Sequence, residues 1–281
     1  MSTKPIALTI AGSDSGGGAG IQADIKAMEA NGVFATSALA AVTAQNTETV
    51  AEAHDLPPSL VAAQIDAVAD DMDVRAAKTG MLSSPEIIEV VADRVQAHSL
   101  QPFVVDPVMI SKTGFKLLQD AAINTLLDEL VPLATVITPN VHEAAHLTGI
   151  EDIETVADLQ AAAEALFERG PDAVLAKGGH LAEEEDAVDV LVDESGARIF
   201  TAPRVDTQHT HGTGCTYASA IAANLAKGLA LDAAVDRAKR YVTGAIRHAL
   251  PLGHGRGPTN HFFHLDPDAA LTEGRAAEQA D

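Results

Sequence analysis

The run His211-Gly-Thr-Gly-Cys215 brings the chain's only cysteine to the edge of an Ala-rich, proline-free segment, Tyr217 to Lys227. That composition predicts a helix from near Gly214. Two glycines just ahead of a helix let Gly212, Thr213, Gly214 and Cys215 turn their N–H groups toward one point. The helix dipole adds to those donors, and together they suit an anion. A cysteine there would have its thiolate favoured by the same field. The run equally suits a tight turn before a packed helix, with Cys215 as a small hydrophobe.

Four other segments carry residues with chemical reach. The loop Gly12-Ser-Asp-Ser-Gly-Gly-Gly-Ala-Gly20 lacks the Lys-Ser/Thr pair of a phosphate-binding P-loop. It also misses the dinucleotide spacing, because Ile21 stands where the third glycine belongs. It reads as a flexible strand-to-helix turn, or as a loop that brings Gly12 and Ala19 close to a small ligand. Asp24, one turn into the next helix, could then bond a ligand amine or hydroxyl. In Thr43-Ala-Gln-Asn-Thr47, the Gln45 amide offers both a donor and an acceptor to a heterocycle edge, or caps its own loop. Lys177, before Gly-Gly-His180, is a point charge suited to phosphate or a solvated strand-end lysine. Asp106-Pro-Val-Met109 puts a carboxylate at a strand end, where it could hold a metal or cap the turn.

His142-Glu-Ala-Ala-His146 fits the H-E-x-x-H pattern of zinc hydrolases, with Glu143 as base, and Gly149 and Asp152 extend it. The extended pattern needs a methionine turn downstream, and all five methionines lie upstream, at 1, 28, 72, 81 and 109. The same residues also spell Asn140-x-x-Glu143 directly after a strand and Pro139. In that reading both polar groups point into the mouth of the sheet.

Short apolar runs must position these residues. Strands are predicted at Pro5–Ala11, Val74–Lys78, Phe103–Val105, Thr135–Thr138 and Ala173–Ala176. Helical spacing intervenes at Ile21–Ala30, Ser59–Asp70, Pro85–Ala97, Lys116–Leu130 and Ala157–Glu168. This alternation predicts an α/β fold with a central, mainly parallel sheet flanked by helices on both faces. Val188–Val192 and Arg198–Thr201, joined by Asp-Glu-Ser-Gly, read as a hairpin. Helices Thr216–Lys227 and Leu231–Ala249 follow, then a tail with the pair His261 and His264. No linker or repeat divides the chain, so one domain over 1–265 is expected, with an acidic tail at 266–281.

With 281 residues, 47% of them hydrophobic, the chain can bury a substantial core. A net charge of −22 disfavours nucleic acid and anionic membranes as partners. It also suggests a salty, halophilic cytoplasm. A single cysteine leaves no intrachain disulfide, and Met-Ser-Thr-Lys-Pro lacks the apolar stretch of a signal peptide. No apolar run approaches a membrane span. A reducing cytoplasmic location is expected.

Taken in order, the motifs combine into a family pattern. Gly12–Gly20, Gln22-Ala-Asp24, Ala44-Gln-Asn-Thr47, Lys78-Thr-Gly-Met-Leu82, Asp106–Met109, Thr138-Pro-Asn-x-x-Glu143, Lys177–His180 and His211–Cys215 closely resemble the hydroxymethylpyrimidine/phosphomethylpyrimidine kinases of thiamine biosynthesis. These are members of the ribokinase-like superfamily, and the resemblance runs from about residue 5 to 264. It implies a homodimer that uses ATP and Mg2+ to phosphorylate 4-amino-5-hydroxymethyl-2-methylpyrimidine and then its monophosphate. It also implies roles for single residues. Gln45 and Asp24 would hold the ring's amine and nitrogens. Gly12 and Ala19 would line the ring, and Met81 and Val108 would pack on it. Asn140, Lys177 and Thr213 would serve the nucleotide phosphates, and Asp106 and Glu143 the metal. Cys215 stands where many sugar kinases of the superfamily carry an aspartate base, so the base role passes to it. Some relatives with the same Gly-Thr-Gly-Cys run phosphorylate pyridoxal-type rings, which makes pyridoxal kinase the alternative activity. A ligand-sensing relative without catalysis is a third reading.

Overall fold

In the computed structural model, residues 4–109, 118–179, 181 and 184–265 are described. The chain lays down a nine-stranded sheet in the order β3-β2-β1-β4-β5-β6-β7-β8-β9. The strands are β1 (Ile6–Asp14), β2 (Phe34–Gln45), β3 (Val50–Asp55), β4 (Val74–Thr79), β5 (Phe103–Val105), β6 (Val136–Ile137), β7 (Ala173–Lys177), β8 (Asp186–Asp193) and β9 (Gly196–Pro203). From β2 through β7 every pairing is parallel, while β3 at one edge and the β8–β9 hairpin at the other run antiparallel. The ribokinase-like α/β architecture expected from the sequence is the one observed.

The pleat sends alternate residues to opposite faces, and both faces are buried. Leu8, Ile10, Ala77, Phe103, Val105 and Ile137 pack against α2 (Pro58–Ala69), α3 (Pro85–Ala97), α4 (Asp120–Thr125), α5 (Val141–Thr148) and α6 (Val156–Phe167). Their neighbours Ala7, Ala76, Val104 and Leu175 pack against α1 (Gly20–Ala30), α7 (Thr213–Ala226) and α8 (Leu231–Arg247). Local chemistry sets several helix starts. Ser84 accepts the Ile87 N–H ahead of Pro85, and Thr155 forms a capping box with Asp158.

Three expectations change. The run 34–55 holds two strands that no alternation announced, because β3 is exposed along most of its length and β2 is Ala- and Thr-rich. The helix expected over Lys116–Leu130 begins, within the described residues, at Asp120. It widens into a π turn at Leu126–Leu130 and tightens into a 3-10 turn at Pro132. β1 is longer than its apolar run and carries the chain into the glycine loop. His180, Lys116 and the tail 266–281 lie outside the described residues. Among the described residues no helix is long and apolar enough to cross a membrane.

Candidate active site

Parallel strands deliver their carboxyl ends to one edge of the sheet, and ligands of open α/β sheets bind there. A cleft of about 800 Å3 occupies that edge. It reaches from Gln45 at the end of β2 to Asp189 near the start of the antiparallel β8. Six strand spacings of ~4.8 Å make this roughly 29 Å, room for a ring and a nucleotide end to end.

At the β2 end, Gly12, Ala19, Gln45, Met81 and Val108 line the cleft. A Cβ on Gly12 would stand 2.7 Å from the Met81 methyl, so glycine lets that methionine seat against the loop. Asp24 does not join them. It is fully buried and turned away from the cleft, where its carboxylate takes both contacts of Lys78 Nζ at 2.8 and 2.9 Å. Its two oxygens also accept the hydroxyls of Thr9 at 2.6 Å and Ser219 at 2.7 Å. Every oxygen of Asp24 is therefore engaged, which corrects its expected role as a ring ligand. Asp24 ties β1, β4 and α7 together beneath the site.

Over the middle of the cleft stands the N-terminus of α7, packed against β1, β4 and β5. Gly212 caps it in the left-handed region (φ 78°), and a Cβ there would lie 1.7 Å from the Gly18 carbonyl oxygen. The two glycine turns thus touch backbone to backbone, which only glycine permits. Gly212, Thr213, Gly214 and Cys215 all line the cleft. The first turn of α7 has no side-chain cap, so the N–H groups of Gly214 and Cys215 remain available to a ligand. Thr213 is the exception, because its N–H at 3.3 Å and its hydroxyl at 2.8 Å both donate to the Thr210 carbonyl. Cys215 is half-buried, and the expected resting thiolate is not what its surroundings favour. Burial, with Asp24 and Asp106 nearby, outweighs Lys78 and pushes the thiol up to about 12.

Beyond α7, charged groups converge from β5, α5 and β7. Lys177 Nζ donates to Asp106 Oδ1 at 2.8 Å, and the Thr138 hydroxyl donates to the same oxygen at 3.1 Å. Burial raises the Asp106 carboxyl, but Lys177 and Lys78 outweigh it and hold it below the usual range. The other Asp106 oxygen is buried without a hydrogen-bond partner. A Cβ on Gly214 would stand 3.8 Å from that oxygen and 3.5 Å from Lys177 Nζ, so both face the α7 turn. Asn140 and Glu143 form a capping box at the start of α5, in which Glu143 Oε2 accepts the Asn140 N–H at 2.8 Å. Burial pushes the Glu143 carboxyl up to about 7, with Asp106 adding to it and Lys177 opposing. An orphaned, ionised oxygen beside a second carboxylate suits Mg2+, which keeps several waters and takes one or two carboxylates plus phosphates. For zinc the fit fails. Among the described residues no three His, Cys, Asp or Glu side chains converge on a common point. One oxygen of Glu143 is already engaged with backbone.

The far end was not legible from motifs. Ala187, Asp189, Lys239, Val242 and Ile246 line it, and Lys239 Nζ donates to Asp189 at 2.6 Å. The available signal was the apolar stripe of α8, which reads as core. Asp14 was also missed, hidden inside the glycine loop.

Fold and site together define a small-molecule kinase of the ribokinase-like class, with an uncapped helix start and a carboxylate–lysine group along one strand-end cleft. Residues 14–260 match the phosphomethylpyrimidine kinase family, and the chain belongs to it. A hydroxymethylpyrimidine/phosphomethylpyrimidine kinase of Streptomyces coelicolor is 53% identical over 94% of this chain and 96% of its own length. Among solved structures, an ADP complex of Bacillus subtilis pyridoxal kinase is 38% identical with a TM-score of 0.88, covering 94% of this chain and all of that one. The phosphomethylpyrimidine kinase of Clostridium difficile is 44% identical with a TM-score of 0.77, over 86% of this chain and all of that one.

Proposed function

We propose that this cleft transfers the γ-phosphoryl group of ATP to the hydroxyl of 4-amino-5-hydroxymethyl-2-methylpyrimidine. The monophosphate then returns to the same cleft and becomes the diphosphate used in thiamine biosynthesis. One observation carries the reading: the uncapped start of α7 lines the same 800 Å3 cleft as Gln45 on one side and the Asp106–Lys177 pair on the other. Phosphoryl transfer passes through a loose transition state, so placing donors where charge gathers is most of the catalysis. The N–H groups of Gly212, Gly214 and Cys215 serve that purpose, while that of Thr213 holds the turn to the Thr210 carbonyl.

Gln45 pairs with the ring edge, and Gly12, Ala19, Met81 and Val108 enclose its faces. Lys177 and Asn140 hold the nucleotide phosphates, Thr213 joining them only if its hydroxyl leaves the Thr210 carbonyl, while the cleft by Val242 and Ile246 takes the base. Asp106 and Glu143 would hold magnesium, which when bound neutralises phosphate charge. Cys215 faces the acceptor hydroxyl and takes its proton, with the thiolate generated only once ligands fill the cleft. The demand on this base is small, because bonding to the nucleophile lags in a loose transition state. The catalytic unit spans residues 1–265 and works in the cytoplasm as a homodimer.

Pyridoxal is the second reading, favoured by the likeness to the pyridoxal kinase of Bacillus subtilis. Comparing kcat/KM for the pyrimidine alcohol and for pyridoxal separates the two. A ratio above about tenfold for the pyrimidine, some 1.4 kcal/mol of transition-state preference, supports the proposal. The reverse ratio replaces it.

A further inference from the structure

Asp14 lies at the end of β1, 2% exposed, and every partner of its carboxylate belongs to one of the two glycine turns. Oδ1 accepts the Gly16 N–H at 2.8 Å. Oδ2 accepts those of Gly18 at 3.0 Å and Ala19 at 2.8 Å. The same oxygen lies 2.9 Å from Nε2 of His211, 197 residues along the chain. His211 directly precedes Gly212, and its backbone is pinned on both sides. Its N–H donates to the Gly257 carbonyl, and its carbonyl accepts the Thr259 N–H. A Cβ on Gly18 would stand 2.4 Å from the His211 ring, so loop and ring are in full contact.

We propose that Asp14 and His211 form a clasp that sets the distance between the ring-holding loop and the phosphoryl-holding turn. Asp14 is thus a positioning residue for transfer. Asp14 and His211 both line the cleft, and Asp14 acts through backbone, fixing Ala19 on one side and Gly212 on the other. Reacting atoms must approach within about 3–3.5 Å, and a displacement of ~1 Å can cost about 100-fold in rate. Opening the clasp leaves each ligand its own contacts while the two reactants lose alignment. The loss therefore falls on kcat.

The inference rests on the kinase reading of the cleft, and two measurements separate them. Hydrogen exchange needs no turnover. In Asp14→Asn and in His211→Phe alike, Gly16–Ala19 and the hydrogen-bonded amides around the α7 turn, those of His211, Thr213, Thr216 and Thr259, lose protection relative to the unsubstituted protein. Loss confined to the substituted turn overturns the clasp. In the kinetic measurement, either substitution lowers kcat by roughly 30- to 100-fold with KM for both substrates within about threefold. The double variant is no slower than the slower single, because both break one interaction. His211→Gln, which keeps an N–H donor, retains kcat within about fivefold. Multiplicative losses, a raised KM at intact kcat, or a Gln variant as slow as Phe overturn the proposal. Should Asp14→Asn fail to fold, the two His211 variants and their exchange patterns carry the test.

Discussion

Replacing Asp24 by asparagine separates a structural carboxylate from a substrate ligand. Lys78 and Asp24 are both fully buried, with Nζ 2.8 and 2.9 Å from the two carboxylate oxygens. Breaking a buried pair by removing one charge costs about 3–5 kcal/mol, because the remaining ion stays uncompensated. The hydroxyls of Thr9 and Ser219 add to this, since one amide oxygen cannot accept all that two carboxylate oxygens did. Against a typical total of about 5–15 kcal/mol, this is a large share of the protein's stability. At ~2–4 °C per kcal/mol for a chain of this size, the thermal midpoint falls by roughly 10 °C or more. Lys78→Met alone destabilises in the same way. The pair Asp24→Asn/Lys78→Met, which buries no charge, recovers most of the loss. Urea midpoints and KM for the pyrimidine alcohol are measured on all four proteins. An Asp24→Asn protein with the original midpoint and a KM raised tenfold would refute the reasoning and return Asp24 to the ring.

Cys215, pushed up to about 12 by burial and two carboxylates, is a poor nucleophile at rest. At pH 8 its thiolate fraction is about 1000-fold below that of an ordinary thiol, and iodoacetamide alkylates the free enzyme correspondingly slowly. Labelling at the rate of free cysteine contradicts this. His261 is buried with Nε2 2.9 Å from the Thr216 hydroxyl, and burial, with Lys26 adding to it, lowers its pKa to about 4. Its folded value lies below its unfolded one, so stability is whole above about pH 6.5 and is lost as pH falls toward 4. Between pH 6.5 and 5 this amounts to about 2 kcal/mol. The stability difference between the unsubstituted protein and His261→Gln therefore shrinks by that amount, and a difference that stays constant refutes it. Gly212→Ala forces a side chain onto the Gly18 carbonyl at positive φ. That parts the two turns and lowers kcat by about 100-fold or more, and near-normal turnover would discount the turn's role.

Much of this was legible in the sequence where local chemistry decides. Helix α3 and strand β5 have the predicted bounds, because Ser84-Pro85 starts one and a compact apolar run between Pro102 and Asp106 confines the other. The site motifs were legible because parallel strands place all their ends on one edge. Asp24 was misread because its partner Lys78 lies 54 residues away, and spacing cannot reveal a buried long-range pair. Asp14 was overlooked because a carboxylate within a glycine loop looks like turn chemistry until His211 is seen against it. Cys215 was credited with a thiolate on the strength of the helix dipole. Burial and the nearby Asp24 and Asp106, which are tertiary properties, push the thiol up instead. Glu143 matched both a zinc pattern and a capping box, and only the observed bond to the Asn140 N–H distinguishes them.

The most direct test of the central claim is a turnover assay with ATP, magnesium and 4-amino-5-hydroxymethyl-2-methylpyrimidine, with products identified by mass. The account predicts the monophosphate first and the diphosphate after it, each formed with one equivalent of ADP. Their absence, with ATP consumed only when pyridoxal is supplied, would contradict it.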